Sequence, residues 1–172
     1  LLAGCGKPEP ASPALWQVDG PDGERAWLFG TIHALPQPVA WRSAKIEAAL
    51  AGSDRLVLEV AAVTDAAGIG QTFARLGQSP GLAPLAMRLP PGDRAGLRTD
   101  IVEAGLASGA LDGLETWAAA LALQQAVAAR EGIDPDNGID RALVRGWSKP
   151  VEELEGAEAQ LAIFDRLAED DQ

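Results

Sequence analysis

Trp27-Leu28-Phe29-Gly30-Thr31-Ile32-His33 is the stretch on which the reading of this chain turns, and it holds the only histidine among 172 residues. An apolar run rich in β-formers ends in Gly30-x-x-His33 and is followed by Ala34-Leu35-Pro36. This pattern predicts a buried strand that delivers one imidazole to the carboxyl edge of a sheet, the edge at which open α/β sheets bind ligands. A neutral imidazole placed there can ligate a metal or carry a proton. A histidine at a strand end can equally be a hydrogen-bonded structural residue, and Gly-x-x-His is short enough to recur by chance. The flanking sequence has to decide.

On the N-terminal side, residues 14–18 (Ala-Leu-Trp-Gln-Val) read as a short strand and residues 19–24 (Asp-Gly-Pro-Asp-Gly-Glu) as a dense turn signal. Residues 25–32 then form the return strand of a β-hairpin. On the C-terminal side, Pro36 and Pro38 keep the backbone extended. Residues 41–50 place apolar side chains at 41, 46, 49 and 50, a helical face that Gly52 is positioned to end. Residues 54–60 (Asp-Arg-Leu-Val-Leu-Glu-Val) give the second strong strand. Its continuous run Leu56-Val57-Leu58 is expected where helices cover both faces. Glu59 sits at the strand's end, where a carboxylate buried without a partner would be costly. Strand, helix and strand from 28 to 60 together read as a βαβ unit with parallel strands.

Helical patterns follow at 65–76, at 91–105 with Pro at its start and Gly at its end, and at 114–130, which is the longest and rich in Ala, Leu and Gln. A shorter one spans 137–145. Residues 149–154 suggest a last strand and 156–167 a last helix. Residues 14–172 contain no internal repeat and no recognisable domain boundary. The expected fold class is therefore α/β, with a central, mostly parallel sheet, an N-terminal β-hairpin and an inserted helical section between the second and third strands.

Hydrophobic residues make up 47% of the chain, enough for a sizeable core, so general disorder is not expected. The 25 acidic and 14 basic side chains give a formal net charge of −11. That sign opposes nucleic acid and anionic membrane surfaces and favours cations or cationic peptides, although the acidic residues are spread along the chain as in any solvated surface. The single cysteine, Cys5, excludes an internal disulfide and a cysteine-cluster zinc site. Its setting, Leu1-Leu2-Ala3-Gly4-Cys5, resembles the lipobox that ends a bacterial lipoprotein signal peptide, with residues 6–13 (Gly-Lys-Pro-Glu-Pro-Ala-Ser-Pro) as a flexible tether. On that reading the protein is lipid-anchored in a bacterial envelope and faces the periplasm or the exterior. The alternative is an incidental cysteine near a terminus. No run is long enough to span a bilayer.

Taken in order, Leu15-Trp16, Leu28-Phe29-Gly30-Thr31-Ile32-His33, Leu56-Val57-Leu58-Glu59, Trp117, Gly138-Ile139-Asp140, Lys149-Pro150-Val151, Leu154-Glu155 and Gln160 resemble the TraB/GumN family, relatives of the animal Tiki proteases. Each element is weak alone, and the ordered set is specific. The resemblance implies a metal-dependent hydrolase, peptidase-like, with a manganese- or cobalt-type divalent ion as cofactor and a peptide or protein as substrate. It implies that His33 belongs to the first of two Gly-x-x-His motifs and that Glu59 is the acidic partner on the next strand. The second motif has no counterpart among these residues. The chain is accordingly expected to represent about the first two-thirds of the family domain, with the site completed by a further C-terminal motif.

A hydrolytic metal site needs ligands and an open position for water. His33 and Glu59 could supply two ligands, or one ligand and a general base, and manganese accepts such mixed nitrogen and oxygen donors. Glu155 is the next candidate, either catalytic or an exposed acid at a helix start. Asp140 could cap a helix or shape the site together with Gly30 and Thr31, and Trp117 could be core or substrate platform. Thr31 has no base nearby in sequence, so serine-type nucleophilic chemistry is unsupported. Gly68-Ile69-Gly70 lacks the rest of a phosphate-binding loop. The competing function is a non-catalytic lipoprotein that binds and sequesters a peptide.

Overall fold

The computed structural model describes residues 9–172; Cys5 and the lipobox-like segment lie outside the described residues. The chain divides into two compact units, one comprising the residues up to Leu58 together with Ile133–Glu152, the other Glu59–Gly132 together with Glu153–Gln172. In chain order the elements begin with β1 (Glu9–Pro10), β2 (Leu15–Asp19), β3 (Arg25–Phe29), β4 (Val39–Ala40), α1 (Ala44–Gly52) and β5 (Leu56–Leu58). They continue with α2 (Ala66–Leu76), α3 (Leu85–Arg88), α4 (Arg94–Glu103), α5 (Thr116–Arg130), α6 (Ile139–Arg145), β6 (Val151–Glu153) and α7 (Gly156–Asp165).

In the first unit β2 and β3 form the antiparallel hairpin, in a register that pairs Leu15 with Phe29 and Trp16 with Leu28. The turn closes through a bond from Gly20 N–H to the Glu24 carbonyl (2.7 Å) and needs Gly23 in the left-handed region, at φ 89°. Side chains alternate between the hairpin faces. Leu15 and Phe29 pack on a core of Trp41, Ile46, Ile139 and Leu143, whereas Trp16, Val18 and Leu28 stay exposed. Ser43 caps α1 by accepting from Ile46 N–H (3.3 Å), which turns Ile46 and Ala49 inward. Burying Ile46 to 4% exposure contributes about 1.5–3 kcal/mol.

The strands do not join into the one central sheet expected from sequence. Among the described residues they pair as three two-stranded sheets, β1 with β4 in parallel, β2 with β3, and β5 with β6. β3 stops at Phe29, and residues 32–35 of the expected continuation pair with 134–139 and not with β5: Ile139 N–H donates to the Ile32 carbonyl (2.9 Å), and Leu35 and Asp134 exchange a reciprocal pair (3.2 and 3.0 Å). Leu56-Val57-Leu58 is likewise not covered on both faces, since Leu58 is buried and Val57 is 45% exposed. The expected helices form with boundaries within three residues of those expected.

The second unit is helical. Asp65 caps α2 through Gly68 N–H (2.9 Å). Trp117, at the start of α5, is 3% exposed and packs edge-on to Phe73 (5.5 Å between ring centres) and stacked with Phe164 (6.1 Å). This places Trp117 in the core and not at a surface. A second cluster joins Leu85, Leu97, Leu111 and Ala119. The short helix α3, which supplies Leu85, has no periodic signature because it is a single turn.

Candidate functional site

Beyond Phe29 the chain leaves the hairpin as a loop with a bend at His33, and Thr31 lies two residues before it. Both meet the same group. The Thr31 hydroxyl donates to Oδ1 of Asp140 at 2.7 Å, and His33 Nδ1 lies 2.7 Å from Oδ2. Asp140 sits in the first turn of α6, its side chain 10% exposed, directly after Ile139 of the core cluster. A buried carboxylate is costly unless its oxygens are bonded, and here each oxygen has a partner. The alternative role for Asp140, capping its own helix, is not what the side chain does: α6 has no side-chain cap bond.

The surface beneath His33 is built by the segment before α6. Asp134 accepts from Asp136 N–H (2.8 Å), and Asn137 Nδ2 donates to the Leu35 carbonyl (3.1 Å). Arg141 and Arg145 both reach Oδ1 of Asp136 at 2.8 Å. Those two guanidiniums, Arg141 before Arg145, hold the Asp136 carboxyl below the usual carboxylate range. Gly138 is buried with an ordinary φ of −65°, yet a Cβ there would run into the His33 carbonyl oxygen. Glycine at 138 is thus a matter of close approach, not of backbone conformation. Gly30 serves the hairpin, donating to the Ala14 carbonyl at 2.9 Å.

The imidazole itself is 72% exposed. An ionised carboxylate only accepts hydrogen bonds, so Nδ1 is the ring nitrogen that faces Asp140 as donor. Nε2 then points to solvent, and in the neutral ring it carries a lone pair. A carboxylate behind a histidine in this way fixes ring orientation and raises ligand basicity.

Glu59 and Glu155 belong to the second unit. They are neighbours there: the Glu59 carbonyl accepts from Glu155 N–H (3.3 Å) and Gly156 N–H (3.0 Å), and the Gln160 amide approaches the Glu59 carboxylate at 3.5 Å. Both carboxylates are exposed. Glu155 occupies the N-cap position of α7 but makes no cap bond. Glu153, which carries no signal of its own in the sequence, bonds Ala61 N–H instead (3.1 Å). Among the described residues no three His, Cys, Asp or Glu side chains gather as a metal-binding group. His33 suits one ligand position, and the described residues do not fit a complete ligand set. A cavity of about 450 Å³ around Ser79 and Asp112, and one of about 220 Å³ around Arg42 and Trp147, include none of these site residues.

A mixed helix-and-strand protein with a carboxylate-oriented, solvent-facing imidazole in the loop after a hairpin is the class that these features define. The chain belongs to the TraB/PrgY/gumN family, whose model matches residues 14–172. It is also similar to the uncharacterized protein YbaP of Shigella flexneri, with 28% identity over 150 residues and 86% of this chain covered. The match spans 54% of YbaP, so the chain corresponds to about half of that relative's length. No solved structure matches.

Proposed function

We propose that this chain contributes the imidazole of a metal-dependent, peptidase-like hydrolase, with His33 as its working group. The observation that carries the proposal is the exposed Nε2 of a histidine whose Nδ1 is held by a buried aspartate. Such an imidazole can accept a proton or donate its lone pair without first reorganising. A divalent ion of manganese or cobalt type, when bound, would supply Lewis acidity and a more acidic water. Part of its ligand set would come from beyond the described residues. This accords with a family relative about twice as long as the matched region. Glu59 and Glu155 are candidates for the acidic roles that the resemblance implies, each tested by its own variant. Lipid attachment at Cys5, with the protein held at a bacterial envelope membrane, is a separate proposal resting on the sequence Leu1-Leu2-Ala3-Gly4-Cys5; a Cys5→Ser change should release the protein from membranes.

The test is peptide cleavage by the full-length natural protein with and without manganese or cobalt. His33→Ala should lower metal-stimulated cleavage about 100-fold or more, and Glu59→Ala should abolish it. Wild-type rates in both variants would sink the hydrolase reading. Saturable peptide binding with no cleavage and no metal dependence would instead establish a sequestering lipoprotein.

A further inference from the structure

We propose that Thr31 is a positioning residue: through Asp140 it fixes the tautomer of His33. The inference deepens the reading of His33 as the working group and rests on that reading for its significance, though its test does not involve hydrolysis. Three consecutive residues of the loop after β3 bond to two consecutive residues at the start of α6. Thr31 reaches Oδ1 of Asp140, the Ile32 carbonyl accepts from Ile139 N–H, and His33 reaches Oδ2 of Asp140. The backbone bond in the middle sets the separation of loop and helix. The two side-chain bonds then leave the carboxylate one orientation, with each oxygen assigned to one partner. The aspartate is too enclosed, at 10% exposure, for bulk water to take the place of the hydroxyl freely.

Remove the Thr31 hydroxyl and Oδ1 loses its only side-chain donor among the described residues. The carboxylate is then free to rotate about its own axis or to draw Nδ1 into a shared contact, and the ring loses the single geometry that keeps its proton on Nδ1. Ile32, an exposed residue, has no part in this clamp beyond its carbonyl. The sequence Gly30-Thr31-Ile32-His33 therefore contains two positions that bear on the site. The threonine acts on the histidine without touching it.

The experiment is NMR on the full-length natural protein with ring-nitrogen-labelled histidine, recorded on the neutral ring. The His33 pair of imidazole signals is assigned by its loss in His33→Gln. The expected result for the wild type is one tautomer, with the proton on Nδ1 and Nε2 bare; a proton on Nε2 overturns the proposal without any variant. Thr31→Val should turn the single tautomer into a detectable mixture, because the carboxylate no longer holds one orientation toward Nδ1. Thr31→Ser should restore the single tautomer, a rescue that a merely structural role of the methyl group would not give. An unchanged single tautomer in Thr31→Val refutes the role of Thr31. Should the valine variant fail to fold, a mixed tautomer in Thr31→Ser would refute it as well. None of these readings depends on cleavage, so the hydrolase proposal can fail while this one stands, and the reverse.

Discussion

Replacing Gly138 with alanine tests the site from its least conspicuous side. Its φ of −65° is open to any residue, so the change asks nothing new of the backbone. What it adds is a methyl group where the His33 carbonyl oxygen already sits. The atoms it would meet, of His33 and of Pro135, are all main chain, so relief requires backbone movement between the 32–35 loop and the 134–139 segment. Overpacking of this kind costs about 1–3 kcal/mol. The movement also stretches the Ile139–Ile32 bond and the reciprocal Leu35–Asp134 pair, and losing one or two of these adds about 0.5–1.5 kcal/mol each. The sum is about 1.5–6 kcal/mol. In a protein of this size each kcal/mol lowers the melting temperature by about 2–4 °C, which gives an expected fall of about 3–24 °C. Because the chain has two compact units, melting followed by circular dichroism should be paired with the His33 ring signals, which report the first unit alone. A Gly138→Ala protein that melts within about 1 °C of the wild type, with those signals unmoved, would refute the close-approach argument.

Other outcomes follow from the same geometry. Gly70 and Gly96 lie in α2 and α4, where an added methyl group would meet only open space, so Gly70→Ala and Gly96→Ala should each stabilise by about 0.5–1 kcal/mol in urea titrations. Trp117→Ala should cost about 3–5 kcal/mol, measured by denaturant unfolding, since it empties the space between Phe73 and Phe164. Asp136 has its folded pKa lowered by Arg141 and Arg145, so its contribution is fully present above the unfolded value, about pH 4, and is lost as pH falls through the lowered one. Asp136→Asn should therefore flatten the fall in stability as pH drops below about 4.

Local chemistry was legible in the sequence, and distant pairing was not. The turn at 19–24 announced the hairpin, and the helices at 44–52, 66–76, 116–130 and 156–165 followed from apolar spacing and from turn-forming neighbours. The sheet was misjudged because an apolar run says that a strand exists but not which edge it offers. Residues 32–35, expected to extend β3, pair instead with a segment about a hundred residues away. The same gap concealed the role of Asp140. Read locally, an aspartate after Gly138-Ile139 is a helix-start acid. Only the fold brings it within 2.7 Å of both Thr31 and His33. His33 stood out for a simpler reason, being the only histidine in the chain.

That separation has a consequence for how the protein is made. Asp140 follows His33 by 107 residues, so a ribosome adding about 5–20 residues per second exposes it roughly 5–20 s later. For that interval the hairpin and its imidazole exist without their counterpart, however quickly the helices in between have wound. The geometry around His33 cannot form before residue 140 has been added. Lengthening the intervening stretch would barely alter the equilibrium, since doubling a loop costs only about 0.6 kcal/mol, but it would lengthen the wait in direct proportion.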